Sequence, residues 1–171
     1  MKKLGILIII LSAIYFVSSC ESNFKNSPRN TGGHVFEILK SLDTLDEASF
    51  RSHFTSFAVF KESLEGFSFE ENFKQKLRAM DSTEYNSELN KTYQRIVREA
   101  ENNYIRWANI EYVYYEYNFG ENEGVTGYFG DLYFKYHTQL FKIRIFSYEY
   151  NNTLNLIGLS DIALEEERTF E

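Results

Sequence analysis

The chain has 171 residues, a formal charge of −7, 18 % aromatic residues, one proline and one cysteine. That much aromatic content with so little proline excludes a disordered chain, the length fits one domain with a sizeable core, and the acidic balance with no basic stripe argues against nucleic acid as a partner.

The N-terminus comes first. Lys2 and Lys3 precede an uncharged run from Leu4 to Val17, interrupted only by Gly5 and Ser12. It is too short to span the roughly 30 Å hydrocarbon core as a helix, and it has the form of a secretory signal. The run closes on Val17-Ser18-Ser19-Cys20. Here the chain resembles the bacterial lipoprotein lipobox. That resemblance implies cleavage after residue 19 and a lipid on the Cys20 sulfur, with a membrane partner through that anchor. The alternatives are an ordinary secretory signal or a buried N-terminal helix ending near a free thiol. With Cys20 lipidated, no thiol remains for a disulfide, metal or nucleophile. Removal of residues 1–19 takes two of the 18 basic residues and none of the 25 acidic ones, leaving −9 on the mature chain. Such a domain is held to the membrane by its anchor rather than by its surface. Glu21 is not the aspartate of an inner-membrane retention signal, which points to the outer membrane of a cell envelope.

Residues 20–33 then read as the lipidated cysteine and a flexible polar tether, of roughly 20 Å r.m.s. span, with a single domain over 34–171. Val35, Ile38, Leu39 and Leu42 share one face of a short helix. Thr44 to Glu47 has capping-box form and opens a second helix through Phe50 and Phe54. Ser68 to Glu71 repeats the device before Phe73, Leu77 and Met80, while residues 55–67 stay unassigned. From about Thr83 to Ala108, Tyr85, Leu89, Tyr93, Ile96, Ala100, Tyr104 and Trp107 recur at helical spacing, predicting one long helix.

After Trp107 the period changes to two. NIEYVYYEYNF, GENEG as a turn, a second strand through Tyr136, a turn at Thr138-Gln139, a third strand, YNNT and LNLIGLSDIAL predict a four-stranded meander. A loop at 138–139 pairs Phe134 with Ile143 and Leu132 with Ile145, keeping one face apolar. The expected fold is α+β, with N-terminal helices, one of them long, packed on a curved antiparallel sheet. This order resembles the cystatin-like and nuclear-transport-factor-like cone folds and small uncharacterised lipoproteins that share it. The resemblance implies a pocket between long helix and sheet, lined by Trp107, Tyr128, Phe134 and Ile143, for a small-ligand carrier or an enzyme with a His and an Asp inside the cone.

Chemistry-bearing patterns are sparse. His34, His53 and His137 stand in none of the HxxxH, HxH or HExxH spacings, so no metal is expected. The glycine pairs lack the GxGxxG or GK[ST] spacing of phosphate loops, and no serine sits in a glycine elbow. No catalytic residue is assigned, and no cofactor beyond the lipid. Asp131 falls among Tyr133, Lys135, Lys142 and Arg144 by parity, the pattern of a cross-strand ion pair. The strand tyrosines fall on both parities, so Tyr115, Tyr117, Tyr133 and Tyr148 are candidates for an exposed aromatic face. Either strand sterics alone explain them, or they meet a protein, peptide or glycan. The expected function is a non-catalytic, membrane-anchored binding module, with the ligand carrier or enzyme as one alternative. A lipoprotein conferring immunity to, or exclusion of, one toxin or phage protein is the other.

Overall fold

A computed structural model describes residues 27–66, 70–122 and 125–165. Residues 1–26, with the apolar run, Cys20 and the first part of the expected tether, lie outside these, as does Ser68 of the second capping motif. Among the described residues five α-helices precede four strands: α1 Pro28–Lys40, α2 Glu47–Arg51, α3 Phe57–Gly66, α4 Glu71–Ala79 and α5 Ser82–Asn102, then β1 Glu111–Asn122, β2 Val125–Tyr136, β3 Gln139–Tyr150 and β4 Thr153–Glu165. The strands form one antiparallel sheet in the order β1-β2-β3-β4, so the α+β reading is correct.

The helix boundaries correct the sequence reading in four places. Residues 28–33 are not tether: Pro28 opens α1, where its missing N–H costs nothing, and Thr31 and Gly32 are buried. Helix α2 is capped by Asp46, whose side chain accepts from the Ser49 N–H at 2.7 Å, and not by Thr44. The unassigned stretch holds α3. Helix α5, capped by Asp81 on the Glu84 N–H at 2.8 Å, ends at Asn102, six residues before Ala108. The end is a Schellman motif: Ile105 N–H donates to the Ala100 carbonyl at 2.8 Å and Tyr104 N–H to that of Glu101 at 3.1 Å, with Tyr104 at φ 55°. Trp107 therefore sits on a 3₁₀ turn, Trp107–Asn109.

The β2–β3 loop is His137-Thr138 rather than Thr138-Gln139, so Phe134 pairs with Phe141, Leu132 with Ile143 and Gly130 with Ile145. The register differs by two residues. A shift of two preserves parity, so the apolar face is the one expected. The β3–β4 turn at Asn151-Asn152 falls as read, both residues having positive φ, which the type I′ hairpin turn requires.

Helices α1 and α5 cover one face of the sheet. Val35, Leu39, Phe50, Leu89, Ile96, Leu132, Phe134, Phe141, Ile143 and Ile145 form the main core. The α3–α4 pair serves the opposite parity: Leu64 packs with Val125 and Tyr148 in a second cluster, and Ser63 Oγ lies 2.9 Å from Tyr148 Oη.

Candidate functional site

The expected pocket between helix and sheet is filled. Phe134 and Ile143 are wholly buried and Trp107 nearly so; the Trp107 and Phe134 rings stand 6.0 Å apart, and Phe134 stacks on Phe141 at 5.6 Å. These side chains are core because large aromatic faces from β2, β3 and the 3₁₀ turn interdigitate there. Trp107 borders a recess of about 270 Å³, but against α5, with Tyr93, Val97 and Ala100. Of the four residues, Tyr128 alone lines the largest cavity described.

That cavity, a half-open cleft of about 510 Å³, lies between the α3–α4 pair and the end of the sheet. Phe60 and Leu64 of α3, Phe73 and Leu77 of α4, and Val125, Phe129, Phe146, Tyr148 and Ile157 of the strands make it almost wholly apolar. It exists because Gly120 and Gly127, paired across β1 and β2, put no side chain into it. Helix α4 is held over the cleft by Lys61, whose ammonium reaches the carbonyls of Leu77 and Met80 at 3.3 Å and also that of Arg78. Sequence reasoning missed this site because α3 was unassigned. The signal that could have found it is the placing of two glycines equidistant from the β1–β2 turn.

The proposed aromatic face needs a larger correction. Tyr133 is 7 % and Tyr148 5 % exposed, so neither belongs to a surface. Tyr133 lies under Tyr114, stacked at 4.2 Å, and Lys142; Tyr148 lies under α3. Tyr115 is half-buried between Gly32 of α1 and Gly130 of β2, and burial pushes its phenol up to about 12. Only Tyr117 is exposed as expected. The exposed aromatics of the sheet are instead Tyr112, Tyr114, Tyr117 and Phe119 on β1 and Phe129 on β2, which pairs with Asn118 and so lies on the opposite face from Tyr117 and Phe119.

Strand β1 is an edge. The other edge strand, β4, is served from outside the sheet: Thr55 N–H donates to the Leu156 carbonyl at 2.8 Å, Arg95 to that of Leu159 at 3.0 Å, and Ile162 N–H to Glu99 at 2.7 Å. Among the described residues nothing outside the sheet hydrogen-bonds to the backbone of β1 in this way. Its charged residues are Glu111, Glu116 and Glu121, with no cation. The edge carries one irregularity, between Tyr112 and Tyr114, and runs in regular register from Tyr114 to Asn122; long exposed edges are templates for strand addition.

The outer face carries the expected ion pair. Arg144 donates to both carboxylate oxygens of Asp131 at 2.7 and 2.9 Å, directly across the strands, and these bonds hold the Asp131 carboxyl below its usual range. His34 and His53 come together with rings 5.9 Å apart beside a polar recess of about 240 Å³. His137 is exposed at the β2–β3 loop. No group of three or more potential metal-ligating side chains occurs among the described residues. No family model, curated protein or solved structure matches the chain.

Proposed function

We propose that the protein is a lipid-anchored envelope module whose folded domain binds an extended, basic segment of a partner protein along β1. The carrying observation is the open β1 edge, twelve residues long with exposed tyrosines and three glutamates. An added strand takes its affinity from main-chain hydrogen bonds and its selectivity from alternating side chains, and tyrosine supplies rigid contact area at low entropic cost. Charge argues for lysine and arginine on the incoming strand, as an acidic edge steers and registers a basic partner. It argues against a second copy: antiparallel pairing of two β1 strands about Glu116 sets Glu116 against itself and Glu111 against Glu121, and like charges directly opposite are destabilising. An immunity or exclusion role fits the same edge.

The anchor rests on the lipobox. With α1 starting at Pro28, seven residues lie between it and Cys20, and the eight Cα–Cα steps limit the span to about 28 Å when fully extended. A lipid on Cys20 would hold the domain against its membrane.

Two measurements test the reading. Intact mass of protein from native membranes should begin at Cys20 with acyl chains, lost in Cys20→Ala; an unprocessed chain refutes the anchor. For the edge, the probe is a synthetic peptide of alternating lysine and valine as long as β1. It should bind, its glutamate counterpart should not, and N-methylation of alternate amides should abolish binding in one phase only. Binding indifferent to N-methylation, or a concentration-dependent dimer without peptide, refutes strand addition.

A further inference from the structure

His34 and His53 stand far apart along the chain, and the fold puts both on the wall of the recess of about 240 Å³, their rings 5.9 Å apart at 62°. Both are carried by fixed backbone. His34 lies one turn after the buried Thr31 on α1, next to the wholly buried Val35. The turn that carries His53 is pinned to β4, since Thr55 donates both its N–H and its hydroxyl to the Leu156 carbonyl, at 2.8 and 2.9 Å. The other polar groups of the recess have spent protons within the protein. Thr31 gives its hydroxyl proton to the Ser27 carbonyl at 3.3 Å, Ser52 to that of Ser49 at 2.7 Å, and Thr153 to that of Asn151 at 3.4 Å. Asn155, 8 % exposed, gives an amide proton to the Thr153 carbonyl at 2.8 Å. The backbone N–H groups of residues 52 to 55 also donate to carbonyls. The hydroxyls therefore keep lone pairs rather than protons for a guest, which favours a cation over an anion. The volume falls below the roughly 300 to 1,000 Å³ of small-molecule sites, and suits a hydrated ion better than an organic ligand. A chain charge of −7 draws cations towards it.

We propose that His34 and His53 together bind one divalent zinc ion, with oxygen atoms of the recess or water completing its shell. Imidazole suits zinc, whereas carboxylate and carbonyl oxygens suit magnesium and calcium. Two rings that ligate one zinc through nitrogens about 2.0 to 2.1 Å from it have centroids roughly 5 to 6 Å apart, which matches the observed spacing. Each imidazole has a second nitrogen, so one can ligate while the other keeps a hydrogen bond. Two protein nitrogens leave coordination positions open, unlike the closed four-ligand sites of structural zinc. The ion ties α1 to the turn after α2. No residue of β1 lines the recess, and the site stands whether or not that edge binds a strand.

The probe is zinc chloride alone, titrated calorimetrically into the full-length protein in neutral detergent, beside the Cys20→Ala variant. One zinc per chain is expected in both, and excess magnesium should not displace it. His34→Gln and His53→Gln should each weaken binding roughly tenfold or more, because a lost ligand costs no less than a lost outer-shell partner, about 10- to 100-fold. His137→Gln, in the exposed β2–β3 loop, should change nothing. Zinc should raise the melting temperature of the unaltered protein and leave that of the His34 and His53 variants where it was. On the unaltered protein, zinc should protect His34 and His53, but not His137, from modification by diethyl pyrocarbonate, a reading by mass spectrometry that needs no variant to fold. No binding, or zinc that binds both variants as well as the unaltered protein, overturns the proposal. So does zinc displaced by magnesium, lost with Cys20, or bound without protecting His34 and His53, since surface carboxylates or a thiol are then its ligands.

Discussion

The backbone of Gly32 in α1 lies so close to Tyr115 of β1 that a Cβ at Gly32 would stand 2.2 Å from the ring's Cγ. On its other side the ring meets Gly130, where a Cβ would stand 2.0 Å from the hydroxyl oxygen. Two glycines on different elements thus seat one tyrosine, and the seat fixes the distance of α1 from the sheet.

Gly32→Ala should therefore destabilise, although alanine is the better helix former by about 1 kcal/mol. Overpacking costs about 1 to 3 kcal/mol, and backbone must move here because the ring has no room to retreat past Gly130. Denaturant midpoints should fall for Gly32→Ala and for Gly130→Ala. Combined with Tyr115→Ala, Gly32→Ala should cost much less than it does alone, the non-additivity expected of a direct contact. Additive losses would show that the helix, not the ring, carries the strain.

Tyr104 is 85 % exposed and holds the left-handed position that ends α5. A left-handed conformation costs an L-residue roughly 1 to 2 kcal/mol, and glycine is the usual occupant of this position. Tyr104→Gly should raise stability by about 0.5 to 1 kcal/mol, read as a higher melting temperature with unchanged m-value, once the greater freedom of glycine in the unfolded chain is deducted. A lower melting temperature would mean that the ring makes a stabilising contact.

Alkaline pH should unfold the protein through its buried tyrosines. Burial raises Tyr85, whose hydroxyl donates to the Thr55 carbonyl at 2.7 Å, and Tyr115 from about 10 to about 12. The neutral phenol is thus favoured in the folded state. Its contribution is complete below the unfolded value near 10 and is lost as pH rises through the folded value near 12. Ultraviolet titration should show these two phenols ionising late, with stability falling between those limits. Tyr85→Phe and Tyr115→Phe should each flatten that fall.

Lys61→Met should loosen α4 selectively. The ammonium answers carbonyls at the C-terminal end of α4 that have no helical partner, a contribution of about 1 kcal/mol. Hydrogen exchange should accelerate over residues 71–80, with α5 unaffected. Uniform acceleration would indicate a global loss of stability instead.

The elements that were legible along the chain are those whose signals are local. The 3.6-residue spacing from Tyr85 to Ala100 needs only its own helix, and the alternation from Leu132 to Ile145 needs only its own strands. Even a register error of two residues left every side chain on its expected face, because parity survives an even shift. Asp131 and Arg144 were readable as neighbours for the same reason. Burial of an individual tyrosine was not, since Tyr133, Tyr148 and Tyr115 are covered by residues remote in sequence or on other strands.

By itself, then, the sequence determined the class of fold, the parity of the strands and the expectation of a lipidated Cys20, each carried by a short stretch of residues. Only the tertiary structure decided which aromatics face solvent, that the space between Trp107 and Phe134 is filled, and that Gly120 and Gly127 open a cleft under α3 and α4. Burial is a sum over neighbours that the chain brings together only when folded, and an empty volume is the part of that sum no single residue records.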